Sequence, residues 1–334
     1  MAKSVFRTIA RWTLRLVLLA LLFLLALVVY ALLGESAARK RAQEQFPPPG
    51  DIIEVGTHSL HLNCMGAGHP TVVFESVLDT IASQSWSLVQ PQVAEITRAC
   101  TYDRSGLLWS EPGPRPRDGN QIADELGGLL AAAGEQGPYV LVGHAAGGAC
   151  ARIFVAQNRE SVCGLVLVDS AHPDQTARFA AMGIESERPT NALRPLVVLL
   201  SHLGMPRRYS GPKPRTMPQD DFEVQQAYLP FSGVAWFDET VEAEHTLEQA
   251  GKVEQLENLP LIVLSSARPS GISAQNDGQD LQELWLEMQD ELAQLSTEGE
   301  LRTFEDSGHY IQYDRPDVVV EAVRDLVVRC SALP

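Results

Sequence analysis

The sequence predicts an α/β fold built on a mostly parallel sheet, with a separate apolar segment at its N-terminus. Three observations carry that expectation. Short apolar runs alternate with helical patterns from residue 71 onwards, which calls for crossover connections. Closely spaced strand-like runs at the start, Ile52–Val55 and Ser59–Cys64, form an antiparallel edge. One strand passes directly into a helix through the Gly-rich turn at 143–148.

The elements follow in order. Strands are expected at Thr71–Glu75, Ala99–Asp103, Tyr139–Gly143, Gly164–Asp169, Leu261–Ser265 and Glu300–Phe304, which with the first two makes eight. Helices are expected at 86–96, 121–133, 146–157, 281–295 and 316–329. Gly134 and Gly137-Pro138 stop the second of these. The interval from 171 to 259 breaks the alternation and is too long for a bare loop. It reads as a helical lid over the C-terminal edge of the sheet, where open α/β sheets bind ligands. The divisions expected are therefore 1–45, an anchor; 46–50, a Pro-rich linker; 51–170 and 260–334, the core; and 171–259, the lid.

Leu16 to Leu33 is an unbroken apolar run of 18 residues. At ~1.5 Å per residue it spans ~27 Å, close to the hydrocarbon thickness of a bilayer. Trp12 and Tyr30 stand near its ends, as interfacial aromatics do. Arg7, Arg11 and Arg15 precede it, and Arg39, Lys40 and Arg41 follow it, so the charge bias is weak; the reading adopted is N-terminus inside and body exported. The alternative is a cleaved signal peptide with Ser36-Ala37-Ala38 as its small-residue site, although the run is long for that role. The chain has net charge −16, while the stretch up to Gln45 carries seven Lys/Arg against two Glu. The body is thus strongly acidic, which argues against nucleic acid as a partner.

The residues with chemical meaning centre on Tyr139-Val-Leu-Val-Gly143-His144-Ala145-Ala146-Gly147-Gly148. This segment resembles the nucleophile elbow of the α/β hydrolases, G-x-S-x-G, with alanine where that family has serine. Tyr102-Asp103-Arg104-Ser105-Gly106 with Trp109-Ser110, Leu165-Val-Leu-Val-Asp169-Ser-Ala171 and Ser307-Gly308-His309-Tyr310 resemble further family segments in the right order. The likeness spans roughly residues 50 to 330.

The resemblance implies an α/β-hydrolase fold of the esterase/lipase type with position 145 as nucleophile, Asp169 as acid and His309 as general base. Asp277 is the alternative acid. It also implies an oxyanion hole from the backbone N–H groups of Ala146 and Leu78, although the family usually has glycine near Val77. A small ester-like, hydrophobic substrate and no cofactor go with it. The five cysteines match no zinc spacing, and the other histidines form no ligand-spaced cluster. In the implied fold Cys64 and Cys100 lie on adjacent strands and become a candidate disulfide if the body is exported; buried free thiols are the other reading.

A methyl group cannot attack an ester, so the chain as written should bind an ester-like ligand and turn it over poorly. Three explanations compete: a serine-to-alanine knockout of an esterase, a natural non-catalytic binding protein, or His309–Asp169 chemistry without a nucleophile. The first is favoured, because a plausible acid and histidine remain.

Overall fold

In a computed structural model, residues 2–184, 188–208, 211–268 and 279–332 are described, and Asp277 lies outside them. In chain order the elements are α1 (Ala2–Gln45), β1 (Asp51–Val55), β2 (His58–Met65), β3 (Thr71–Glu75), α2 (Gln90–Ala94), β4 (Ala99–Tyr102), α3 (Gly119–Ala132), β5 (Tyr139–His144), α4 (Ala146–Gln157) and β6 (Val162–Val168). After them come α5 (Gln175–Ala181), α6 (Arg194–His202), α7 (Gln219–Gly251), β7 (Leu261–Ser266), α8 (Gln279–Ala293), β8 (Gly299–Phe304), α9 (Ile311–Asp314) and α10 (Pro316–Ser331).

The eight strands form one sheet in the order β1-β2-β4-β3-β5-β6-β7-β8. β1 and β2 pair antiparallel with each other, and β2 with β4; every later pairing is parallel. β3, β5, β6 and β7 are buried on both faces, which is why they read as continuous apolar runs rather than alternating ones. α3 and α4 pack on one face around Leu126, Phe154 and Leu165. α2 and α10 pack on the other, around Trp86, Val166 and Val323.

One expected helix is shorter than its pattern. Residues 86–96 hold a 3-10 turn ending at Trp86 and then only the five residues of α2. Pro91 sits in the first turn of α2, and a proline restricts the residue before it and cannot continue a helix arriving from the N-terminal side.

The N-terminal helix ends where the first segment was expected to end, but its last part is not separate from the body. α1 runs 44 residues without a break, with the side chains of its apolar run largely exposed. By length and composition it can cross a membrane. Its last third belongs to the body. Glu35 is buried and accepts from Arg39 Nε and Arg207 Nε, each at 3.0 Å, and Ala42 and Phe46 pack with Leu107, Val224 and Tyr228. The stretch 46–50 is therefore no free spacer: the Phe46 carbonyl accepts from Trp109 Nε1 at 2.8 Å and from the Tyr228 hydroxyl at 3.0 Å.

Two disulfides are present. Cys64–Cys100 joins directly opposed residues of β2 and β4. Cys163–Cys330 ties β6 to the end of α10 across 167 residues of sequence. Cys150 is free and buried.

Candidate active site

The site begins at the end of β5. Ala145 has φ 50° and ψ −120°, a conformation that costs a non-glycine residue free energy and persists only where the surroundings fix it. Its N–H donates to the Val168 carbonyl at 3.1 Å, and its carbonyl accepts from Gly148 and Ala171 N–H at 3.0 Å each. The turn closes only because its neighbours are small. A Cβ on Gly143 would lie 2.6 Å from the Gly148 Cα, and one on Gly147 would lie 2.2 Å from the Ser76 carbonyl oxygen. The 145 side chain lines the main cavity instead of the core.

Asp169 follows β6 at the same edge. One carboxylate oxygen accepts from Ser266 N–H at 3.0 Å and from the Trp285 indole N–H at 2.9 Å. The other lies 2.6 Å from His309 Nδ1. A carboxylate there places the imidazole proton on Nδ1 and leaves Nε2 as the basic nitrogen. His309 lies beyond β8, and its imidazole is about a third exposed, whereas the Asp169 carboxylate is 3% exposed.

His144 holds the histidine-bearing loop from below. Its Nδ1 accepts from the Gln312 amide at 2.9 Å, so its Nε2–H donates to the His309 carbonyl, also at 2.9 Å. Burial, reinforced by the neighbouring His309, pushes its pKa well below the ordinary histidine value. It is a neutral positioning residue. The sequence signalled it only as a flank of the elbow, and Gln312, Trp285 and Ser266 left no signal at all.

The loop after β3 carries Leu78. Asp79 fixes it by accepting from Ile81 N–H at 2.8 Å and Ala82 N–H at 3.3 Å; burial raises the Asp79 pKa to about 6. Arg104 donates to the Ser76 carbonyl at 2.7 Å and the Val77 carbonyl at 2.9 Å. The same guanidinium pairs with Glu75 at 2.7 Å and Glu239 of α7 at 2.8 Å, all three being almost fully buried. Burial pushes the Glu75 carboxyl up, against the pull of Arg104 and of the Tyr102 hydroxyl that donates to it. A backbone fixed by these carbonyl contacts stands where the family usually has glycine. Ala146, the first residue of α4, has no acceptor for its N–H one turn back within its own helix.

Ala145, Ala146, Leu78, Asp169 and His309 thus line one cavity of about 420 Å³ at the C-terminal edge of the sheet, walled by Val77, Phe179, Leu281 and Trp285. The cavity is mostly apolar, with a few polar side chains in its lining, among them Asp169, Arg268, Gln282 and His309, as ligand sites have. Elsewhere, Cys64, Cys100 and Glu135 come within 4.8 Å of one another, but the two sulfurs are joined in a disulfide and offer no thiolate to a metal.

A sheet of this order, a strained strand-to-helix bend and an acid–histidine pair at its edge define the α/β-hydrolase class. The chain belongs to the alpha/beta hydrolase family, whose model matches residues 60–322. It is 25% identical over 269 residues to the uncharacterised protein YqjL of Bacillus subtilis, covering 80% of this chain and 86% of that one. It is 39% identical over 82 residues to an uncharacterised protein of Schizosaccharomyces pombe, a match of 25% of this chain and only 15% of that protein. A vacuolar membrane protein of Saccharomyces cerevisiae is 30% identical over 135 residues, 35% of this chain and 21% of that one.

Among solved structures, DBJA superposes with a TM-score of 0.61 at 16% identity, covering 85% of this chain and 98% of that one. A serine-to-alanine mutant of the meta-cleavage product hydrolase from Pseudomonas fluorescens superposes at 0.59 and 15% identity, covering 84% and 98%. At such identities these structures speak for the fold alone.

Proposed function

We propose that this is the site of a membrane-anchored serine-type carboxylic-ester hydrolase without its nucleophile, so that the chain binds an ester-like ligand and hydrolyses it poorly. The observation that carries this reading is Ala145. Its methyl occupies a strained bend on the wall of a cavity that also presents an oriented Asp169–His309 pair. That pair would take a proton from a hydroxyl at 145, and Ala146 and Leu78 N–H would stabilise the oxyanion. An intact dyad and a retained positive φ favour loss of the serine alone over drift of the whole site. The apolar walls suit a hydrophobic acyl or alkyl group. α5 supplies Phe179 and Gln175 to the cavity, which supports reading 171–259 as a lid.

Residues 16–33 serve as a single membrane span with the body exported. The two disulfides support an oxidising compartment. Cleavage near Ser36-Ala37-Ala38 would remove Glu35, which is buried against Arg207, so the helix is retained rather than cleaved as a signal peptide.

The test compares this chain with Ala145→Ser on a short acyl nitrophenyl ester. Restoring a nucleophile to an intact dyad should raise kcat by about 10³-fold or more, and His309→Ala in the restored chain should abolish the gain. Equal, negligible rates for both chains would leave a binding protein. Turnover that needs His309 but ignores position 145 would point to chemistry by the dyad alone.

A further inference from the structure

Beside the elbow lies a second cavity of about 100 Å³. It shares Leu78, Ala146, Ala171 and Gln175 with the main one, so a single ligand can extend into both past the two oxyanion positions. Its outer wall is charged. Arg104, Arg117 and Arg188 stand there with one carboxylate, Glu239, in a chain whose net charge is −16.

Two of the guanidiniums are engaged. Arg104 is saturated by Glu75, Glu239 and the carbonyls of Ser76 and Val77. Arg188 donates to Glu244 at 2.7 Å and to Thr176 at 2.6 Å. Arg117 differs. Its side chain is 3% exposed, and Nη1 donates to Glu125 at 2.5 Å. Its Nε and Nη2 are buried with no acceptor among the described residues. Glu125 cannot turn to serve them, because it also accepts from Ser105 at 2.7 Å and Gln121 at 3.0 Å. A buried donor left unpaired costs about 1–3 kcal/mol, and a ligand that supplies the acceptor removes that cost.

Which atoms are unpaired decides the class of ligand. Nε and Nη2 form one edge of the guanidinium plane, and its two parallel N–H groups match the two oxygens of a carboxylate. The geometry points to a carboxylate subsite at Arg117: the ligand is an acid ester, whose ester end lies over Ala145 and whose free carboxylate is gripped through the second cavity. This rests on the ester reading above and adds a substrate class to it.

Calorimetric titration of the full chain in detergent micelles, with monoethyl glutarate against diethyl glutarate, tests it. A charged, bidentate contact should make the half-ester bind about tenfold tighter or more. Arg117→Gln should erase that preference. Ala243→Asp should erase it too, by placing a carboxylate in the cavity wall while leaving the Arg117–Glu125 pair intact. Equal affinity for the two esters, or a preference that survives Arg117→Gln, would overturn the inference. So would half-ester binding that diethyl glutarate cannot displace, because Arg117 also backs two outer clefts. Turnover of a neutral ester by Ala145→Ser with no half-ester preference would remove this subsite alone. A half-ester preference in a chain whose Ala145→Ser form is inert would keep the subsite and remove the ester reading.

Discussion

The floor and the cover of the site are held by different forces. The floor is the sheet edge at residues 75–79, 143–148, 169 and 309. It is fixed by parallel ladders, by glycines that admit close backbone approach, and by carboxylates that accept from backbone N–H groups. The cover is held unevenly. α7 is rooted in the apolar cores through Leu247, Ala250, Val224 and Tyr228. α5, α6 and their flanks bury no apolar side chain within the helices and are tied largely by ion pairs, Arg178–Glu291, Arg188–Glu244, Arg194–Asp238 and Arg207–Glu35. Most of these are partly exposed, where such pairs contribute little and weaken with salt. The contrast sets a floor fixed by backbone against α5 and α6, the least buried part of the cover, and two buried contacts tie the halves together.

The first is Arg104, which joins the halves. It holds the Ser76 and Val77 carbonyls of the floor while pairing with Glu239 of α7. Arg104→Met leaves Glu75 and Glu239 buried without a counter-charge and should cost about 3–5 kcal/mol of stability, read by denaturant unfolding. A loss under about 1 kcal/mol would mean that solvent reaches these carboxylates once the guanidinium is gone, and that floor and cover are not rigidly coupled.

The second joins the cover to α1. Pro230 lies inside α7 and lacks an N–H, so the Gln226 carbonyl one turn earlier has no helical donor. Arg207 donates to that carbonyl at 3.0 Å while also gripping Glu35 of α1. The Pro230 carbonyl in turn accepts from Ser201, whose hydroxyl lies 3.4 Å from Arg39. A helix irregularity in the cover is thus the socket for the C-terminal part of α1. Glu35→Gln removes the charge from that socket. A charge-assisted bond contributes about 1.5–3 kcal/mol, so amide exchange in residues 196–207 should speed by about tenfold or more. Unchanged exchange would show that packing around Ala42 and Phe46 alone holds this end of α1 in place.

The same division explains what could be read in advance. The floor is local in sequence. β3 spans the expected residues, and β5 to β8 lie within two residues of their expected limits; all but β8 are doubly buried strands, which are short apolar runs between turn signals. Glycines at 143 and 147 mark the elbow only together with the strand before them and the helix after, and Asp169 and His309 could be proposed through the family resemblance, from their places after strands. The cover depends on distant partners. Nothing near Arg207 points to Glu35, 172 residues earlier, and nothing near Cys163 points to Cys330. Arg104 stands in a quoted segment, yet its role needs Glu75 and Glu239 in view at once. The first segment was expected to end at residue 45, ahead of the prolines, and α1 ends there; what the sequence did not show is that its last part packs against the body through the buried Glu35 and Ala42.

The smallest effect is also the most specific to the cover. Asp221 of α7 faces Ser87, whose hydroxyl donates to it, and lies beside Asp220. Burial raises its pKa from the ordinary value to about 6, against the pull of the Ser87 hydroxyl. Between pH 4 and 6 the folded chain therefore holds a proton that the unfolded chain has released. Stability from this group is present at the acid end and falls as pH rises through the folded value. Asp221→Asn keeps an acceptor for Ser87 and never ionises. Its urea midpoint relative to the parent should climb by a modest amount from about pH 4 to about pH 6.5 and then level off. Asp79→Asn, on the floor, should trace a similar curve, since its carboxyl is raised to about 6 as well. A flat difference at Asp221 beside a rising one at Asp79 would mean that the cover admits water where the floor excludes it, the strongest form of the contrast between them.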